Sequence, residues 1–324
     1  MTSDRNILDI DFLDKTVRAI AEDISTSPDR GEVSQFLPEL AAIDPRQFGL
    51  AVVTADGYEA AAGDIDEAFT IQSISKVFAL SLALETFGDE VWTRVDREPS
   101  GDPFNSITDL ERHGGYPRNP FINPGALVIV DMLLDKADGP GPTKFVESFL
   151  AEQIGADDFA VDEAIFESEI GLSHTNRALA HLAKSFGNLN HPVDDVIAAY
   201  VRQCAIALSC RQLARAGRYL MLERAGAGAA TDPSRRRARQ ARRVASLMLT
   251  CGQYDGSGDF AFRVGLPAKS GIAGGLLAIV PNTATIAVWA PGLDANGNSL
   301  LGTLALERLA EAMDWSVFGA VERC

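Results

Sequence analysis

The sequence predicts an α+β protein in which an antiparallel sheet, assembled from the N- and C-terminal segments, is flanked by terminal helices and interrupted by an inserted all-helical lobe. Three observations carry that expectation. A strand-rich stretch, FGLAVVTADGYEAAAGDIDEAFTI, lies near the start. From Ser75 to about Cys251 the apolar pattern is predominantly helical. Strand signals then return in FRVGLPAKSGIAGGLLAIVP and TATIAVWAP, ahead of a last helical segment. The expected organisation is one domain over residues 1–324, with a sheet lobe at about 1–74 and 252–324 and a helical lobe at about 75–251.

Each element has its own signal. Leu13, Val17, Ile20 and Ile24 recur at helical spacing, so the chain opens with a helix. Asp56-Gly57 supplies a tight hairpin turn between the first strands. The helical block reads as KVFALSLALETFG, ALVIVDMLLDKA, TKFVESFLAEQIG, NRALAHLAKSFG, VDDVIAAYVRQCAIAL and CRQLARAGRYLML, several of which end in glycine as helix C-caps do. ERAGAGAATDPSRRRARQARR reads as a flexible loop leading into a basic helix start, whose arginines form a solvated face on an acidic protein. LDANGNS provides a turn before the final helix, LLGTLALERLAEAM.

Composition narrows the class of function. The 324 residues are 46% hydrophobic and 23% charged, as in ordinary globular proteins. A formal net charge of −16 repels nucleic acid and acidic membranes, so neither is expected as a partner. No run reaches the roughly 20 apolar residues of a membrane helix. The start, MTSDRNILDIDFLDK, is acidic where an export signal needs an apolar stretch. Four cysteines without CxxC spacing read as reduced thiols. Together these point to the cytoplasm. The glycines at 226 and 228 follow no strand and make no dinucleotide fingerprint, DANG is too short for a calcium loop, and the four histidines show no metal-site spacing. No cofactor or metal is expected.

The chemistry-bearing signal is TIQSISK, where a strand-like run becomes a helix. Ser73 is expected in the first turn of that helix, with Lys76 three positions on and on the same face. A helix N-terminus disfavours an ammonium ion, and desolvation acts the same way, so the lysine is pushed toward a neutral base. Free N–H groups at the same turn are suited to an oxyanion. SxxK alone is common. A second segment, LPAKSGIAGG, places Lys-Ser-Gly in a strand-like stretch on the far side of the helical block. Serine acyl-transferases of the penicillin-binding and β-lactamase type pair an SxxK helix with such a K-[ST]-G strand, in this order.

The chain resembles, over almost its whole length, the serine-dependent glutaminases of β-lactamase/DD-peptidase-like fold. The motifs that carry the resemblance are VSQFLPEL, IQSISKVF, EPSGDPFNS, GGYPRNPFINPGAL, SE followed by TNRALA, AYVRQCAI, TCGQYDGSGDFAFRVGLPAKSG and AGG. The resemblance implies hydrolysis of L-glutamine to L-glutamate and ammonia through a glutamyl ester. It implies Ser73 as the nucleophile, Lys76 as its base, and Tyr254 as a phenol beside the serine that relays a proton to ammonia. The backbone N–H groups of Ser73 and Ile272 are implied as oxyanion donors, and Asn123, Glu169, Asn176 and Tyr200 as substrate-binding residues. It also implies a homo-oligomer, a dimer or a tetramer. Chemistry agrees with the set: Glu169 suits the substrate ammonium through a charge-assisted hydrogen bond, while Asn123, Asn176 and Tyr200 suit its carboxylate and amide. Glu169 and Asn176, seven apart, would share a face if they lay on one helix.

Two departures stand out. Phe36 replaces a tyrosine whose hydroxyl the resemblance places near the serine, and Pro124 replaces an alanine, which removes a backbone donor beside Asn123. Phe36 motivates an alternative reading as a glutamine or glutamate sensor with weakened catalysis, and the β-lactamase-type motifs motivate a penicillin-interacting hydrolase. Retention of Ser73, Lys76 and Tyr254 together argues against the first, and the lack of an export signal against the second. One hydrogen bond contributes on the order of 0.5–1.5 kcal/mol, so Phe36→Tyr is expected to raise kcat/KM for glutamine by about two- to tenfold, measured by ammonia release.

Overall fold

In the computed structural model, residues 8–136, 144–156, 158–221 and 233–319 are described; the loop expected over 223–232 lies outside them. Ten strands are present among the described residues: β1 (Glu32–Val33), β2 (Gly49–Thr54), β3 (Glu59–Gly63), β4 (Phe69–Thr70), β5 (Ala160–Val161), β6 (Ile206–Leu208), β7 (Ala268–Ser270), β8 (Gly275–Val280), β9 (Ala284–Trp289) and β10 (Gly292–Leu293). The first helices are α1 (Ile10–Ser25), α2 (Pro38–Ala41), α3 (Ser75–Phe87), α4 (Ile107–Arg112) and α5 (Asn123–Leu134). They are followed by α6 (Phe145–Ile154), α7 (Glu163–Leu172), α8 (His174–Ser185) and α9 (Val193–Cys204). The last are α10 (Cys210–Ala216), α11 (Pro233–Cys251), α12 (Ser257–Arg263) and α13 (Leu300–Met313).

The main sheet has five strands in the order β3-β2-β9-β8-β7, all antiparallel, and joins the two ends of the chain as the α+β pattern predicts. Gly57, at φ +92°, makes the β2–β3 turn. Both faces of the sheet are covered, which is why β2, β8 and β9 are apolar without alternation. Leu50, Val52, Leu276, Ala278, Ile286 and Val288 point toward α1 and α13, where Leu13, Val17, Ile20 and Ile24 complete one core. The residues between them, Ala51, Val53, Leu277, Ile279 and Ala287, face the helical block.

α10 and the 3₁₀ turn after it, Gly217–Met221, pack directly on that second face, while α3 packs against α5, α6 and α11. In α3, Val77 to Leu80, Ala83 and Leu84 are buried, so over Ser75–Leu84 the helix has no exposed position; only its last turn, at Glu85 and Thr86, reaches solvent. A residue at its start is therefore buried by position, whatever its polarity. α5 crosses it and is pinned by Asp131, which is fully buried and takes Arg94 at 2.7 Å together with the N–H groups of Asn190 and His191.

Several elements depart from the sequence expectation. VDDVIAAYVRQCAIAL is not one helix: α9 ends at Cys204 and the next residues form β6, which pairs with β4 and β5 in a second, three-stranded sheet. A short apolar run has no period of its own, and the pairing with Phe69 and Thr70 decides it. CRQLARAGRYLML is α10 followed by a 3₁₀ turn, Gly217–Met221. Pairing of β1 with β10 and the helix α12 carried no distinct signal in the sequence.

The site is framed where the two sheets meet. The Ile71 N–H donates to Ile206 O at 2.8 Å, fixing the end of β4 just before Ser73. Phe69 stacks on Trp289 at 5.0 Å, and the Trp289 indole donates to Ala273 O at 2.9 Å, fixing the turn after β7. A Cβ on Gly271 would lie 2.6 Å from Ile71 O, so only glycine lets β7 come this close to the chain entering α3.

Candidate active site

Ser73 lies in a 3₁₀ turn, Gln72–Ile74, that runs straight into α3, one turn earlier than an α-helical first turn would place it. Gln72 enters the turn at φ +47°, a conformation uncommon outside glycine, and its buried amide donates to Thr70 Oγ1 at 3.4 Å. The turn leaves Ser73 8% exposed while Lys76, three residues on, is 1% exposed. The serine hydroxyl thus borders solvent and the amine does not.

Burial dominates the lysine. It lowers the Lys76 amine to about 8, against the opposing influence of Cys204 and Glu169. The amine donates to Asn123 Oδ1 at 2.7 Å and to Phe121 O at 3.3 Å. Asn123 stands at the start of α5, on a loop built by Asn119, whose side-chain oxygen takes the N–H groups of Phe121 and Ile122. Pro124 occupies the first turn of α5, where the missing N–H would have had no intrahelical partner, so the expected cost of that departure is not incurred.

Asn123 is the hub of the polar cluster. Its amide nitrogen donates to Asn176 Oδ1 at 2.9 Å, and the Tyr200 hydroxyl donates to its oxygen at 3.4 Å. Burial also holds the Tyr200 phenol well above its ordinary value. Glu169 and Asn176 do not share a helix. The chain breaks at Ser173, whose hydroxyl donates to Glu169 O at 2.7 Å, so Glu169 belongs to α7 and Asn176 to α8. The break brings both side chains inward all the same. Glu169 is 4% exposed; burial raises its carboxyl to about 7, opposed by the Lys76 charge and by a hydrogen bond from Gln72. Its Oε2 has no hydrogen-bond partner.

The opposite wall is Tyr254 and the strand β7. Tyr254 adopts φ +50°, and burial pushes its phenol up to about 12, with Ser73 pulling the other way through a hydrogen bond. That contact is loose, since strict geometry leaves the Tyr254 hydroxyl unpaired. Ile272 follows Gly271 in the turn held by Trp289, and packs with Leu37, Leu40 and Ala273. Phe36, next to Leu37 in the chain, is 46% exposed. Among the described residues, no protein acceptor takes the backbone N–H of Ser73 or Ile272.

The structure therefore gathers Ser73, Lys76, Asn123, Glu169, Asn176, Tyr200, Tyr254 and Ile272 around one point, from α3, α5, α7, α8, α9 and the edge of the main sheet. It adds Gln72, for which the sequence held no separate signal, and Cys204, whose thiol is raised to about 12 by burial and stays neutral. Among the described residues there is no metal-binding cluster, and no helix is long and apolar enough to cross a membrane.

A two-sided antiparallel sheet, a buried Ser-x-x-Lys turn and an opposing Lys-Ser-Gly strand define a hydrolase of β-lactamase-like fold. The comparisons with known proteins narrow this further. The glutaminase family model matches residues 31–318, and the chain belongs to the glutaminase family, amidohydrolases that convert L-glutamine to L-glutamate and ammonia. It is 55% identical to the glutaminase of Azorhizobium caulinodans over 94% of this chain and 98% of that one, and 53% identical to a glutaminase of Rhodopseudomonas palustris over 95% and 99%. Among solved structures it resembles the probable glutaminase YbaS with a TM-score of 0.85 at 32% identity, covering 96% of this chain and 99% of that one. It also resembles a probable glutaminase from Bacillus subtilis in complex with 6-diazo-5-oxo-L-norleucine, with a TM-score of 0.79 at 31% identity over 94% and 96%.

The Lys76 charge opposes the burial of Glu169. Lys76→Met is accordingly expected to raise the Glu169 carboxyl above about 7, which carbon-13 NMR of the carboxyl carbon would register as a titration midpoint moved to higher pH.

Proposed function

We propose that this glutaminase works through a glutamyl ester on Ser73. Neutral Lys76 takes the Ser73 proton as Oγ attacks the side-chain amide carbon of L-glutamine. The oxyanion is held by the backbone N–H groups of Ser73 and Ile272. Tyr254 delivers a proton to the departing nitrogen, the C–N bond breaks and ammonia leaves. Water then attacks the ester and loses its proton either to the Tyr254 phenolate, with the Lys76 ammonium protonating Ser73 Oγ, or to Lys76 once its ammonium has reprotonated Tyr254, with Lys76 passing that proton on to Ser73 Oγ. The C–O bond to Ser73 breaks and L-glutamate leaves.

The observation that carries the reading is a pair of oppositely tuned groups in one buried place. The amine of Lys76 is lowered to about 8 one turn from a solvent-touched serine, and the carboxyl of Glu169 is raised to about 7 with one oxygen unpaired. An unpaired buried carboxylate oxygen is costly without a cation, and the substrate ammonium supplies one. Asn123, Asn176 and Tyr200 provide donors for the substrate carboxylate and orient its amide. The Bacillus subtilis relative was solved in complex with 6-diazo-5-oxo-L-norleucine, an amino acid, which supports an amino-acid substrate here. The nucleophile, base and oxyanion donors in this scheme are all protein groups, so no cofactor enters it.

The proposal extends to a cytoplasmic homo-oligomer, a dimer or a tetramer. Free buried thiols at Cys204 and Cys210 support a reducing setting. Phe262, 90% exposed, and Phe318, 69% exposed, offer apolar surface that a second copy would cover, and light scattering reads the assembly.

The experiment that tests the mechanism is glutamine turnover by the wild type and by Ser73→Ala. Ammonia release is expected to fall by about 10⁴-fold or more, with glutamine binding retained in calorimetry; turnover within tenfold of wild type would remove Ser73 from the role. A pH profile adds a second check. The base must be neutral and Glu169 ionised, so kcat/KM is expected to rise as pH passes through about 7 and about 8 and to fall again only where the substrate's own ammonium is lost, while Tyr254, near 12, stays protonated over the rise. A profile that falls over that interval would contradict the assignment of Lys76.

A further inference from the structure

We propose that Lys269, the lysine of the Lys-Ser-Gly strand, is a positioning residue that holds the Tyr254 phenol against Ser73 by clamping the turn of residues 252–254 to β7. The inference rests on the role given above to Tyr254.

Lys269 is fully buried. An ammonium in such a place is costly unless something compensates it. Its amine donates to Gly252 O at 3.1 Å and to Ser270 O at 2.7 Å, and lies 4.5 Å from the centre of the Tyr254 ring. All three contacts bear on one short stretch of chain and the strand beside it. None is made to Asn123, Glu169, Asn176 or Tyr200, so the side chain stands apart from the groups assigned to the substrate. Burial, and next to it the charge of Lys76, push the Lys269 amine well below its ordinary value.

The stretch it holds needs holding. Tyr254 sits at φ +50°, which side chains other than glycine adopt rarely and only where their surroundings enforce it. Enforcement is visible at three successive carbonyls. Gly252 O takes the Lys269 amine and the Ser270 N–H at 3.2 Å, Gln253 O takes Asn298 Nδ2 at 3.0 Å, and Tyr254 O takes the Ser257 hydroxyl at 2.8 Å. A Cβ on Gly252 would stand 1.8 Å from Ala268 O, so turn and strand are in direct contact. Of the three side-chain donors, Lys269 is the one that also meets the phenol ring, with Phe104 packed against the same ring at 4.9 Å. The hydroxyl itself has no strong hydrogen bond to fix it, so its aim at Ser73 depends on where the ring and turn are held.

A double-mutant cycle on the full chain separates positioning from general structural support. Lys269→Met, Tyr254→Phe and the double variant would be assayed for kcat and KM with L-glutamine, with folding checked by circular dichroism. Lys269→Met is expected to lower kcat by about 10- to 100-fold, a large part of what proton transfer by a placed group contributes, with KM within about threefold of wild type. In the Tyr254→Phe background, where no hydroxyl is left to aim, the same substitution is expected to change kcat by less than about twofold. Multiplying losses in the double variant would overturn the proposal while leaving the Tyr254 role intact. An unchanged kcat in Tyr254→Phe alone would remove that role, and this proposal with it. If Lys269→Met does not fold, Lys269→Gln keeps an N–H donor for Gly252 O. It is expected to lose less activity than a residue without a donor and to show the same silence beside Tyr254→Phe. An equal fractional loss of kcat from Lys269→Gln in the wild-type and Tyr254→Phe backgrounds would count against the clamp.

Discussion

The site depends on one constraint: an amine kept inside a helix-packed core. Lys76 is 1% exposed because the first ten residues of α3 are enclosed on every side, with α5, α6 and α11 packed against the helix. Burial lowers the amine to about 8, with no special chemistry required of the lysine itself. Everything nearby responds to that placement. Asn123 and Phe121 supply acceptors for the amine, and Glu169 supplies an opposite charge whose own burial raises it to about 7. Each group is held between charge states near neutral pH, where proton transfer is most effective.

The second requirement is an approach of two backbones. β7 must come close enough to the chain entering α3 for donors and phenol to face Ser73. Gly271 and Gly252 permit it, since a Cβ at either would meet a carbonyl oxygen at 2.6 Å or 1.8 Å. The same crowding makes the wall rigid: Trp289 grips Ala273 O, and the carbonyls of residues 252–254 each have a side-chain donor. Strained φ values at Gln72 and Tyr254, one on each wall, mark where this packing overrides local preference. The lysines of both walls, Lys76 and Lys269, are buried, and each donates to the carbonyl and amide oxygens around it.

Two departures from the family resemblance remain, Phe36 and Pro124. Phe36 is 46% exposed, on the segment whose Leu37 and Leu40 pack against the Ile272 turn. Pro124 lands in the first turn of α5, a position that proline suits.

The sequence by itself determined the large features. The spacing of Leu13, Val17, Ile20 and Ile24, the Asp56-Gly57 turn and the apolar runs of β8 and β9 fixed a sheet joined from both ends, because periodicity and turn chemistry are local properties. Ser73, Lys76 and the Lys-Ser-Gly strand were legible as motifs, and the remaining site residues only through family resemblance, since an isolated asparagine or tyrosine carries no pattern of its own. Tertiary structure alone decided the rest. Residues 206–208 became a strand because β4 lay beside them, and Glu169 and Asn176 fell on two helices because the chain turns at Ser173. It was also the fold that buried Lys76 and Glu169 within reach of each other and Lys269 against the Tyr254 ring. Burial and through-space charge are sums over residues far apart in the chain, and no local pattern records them.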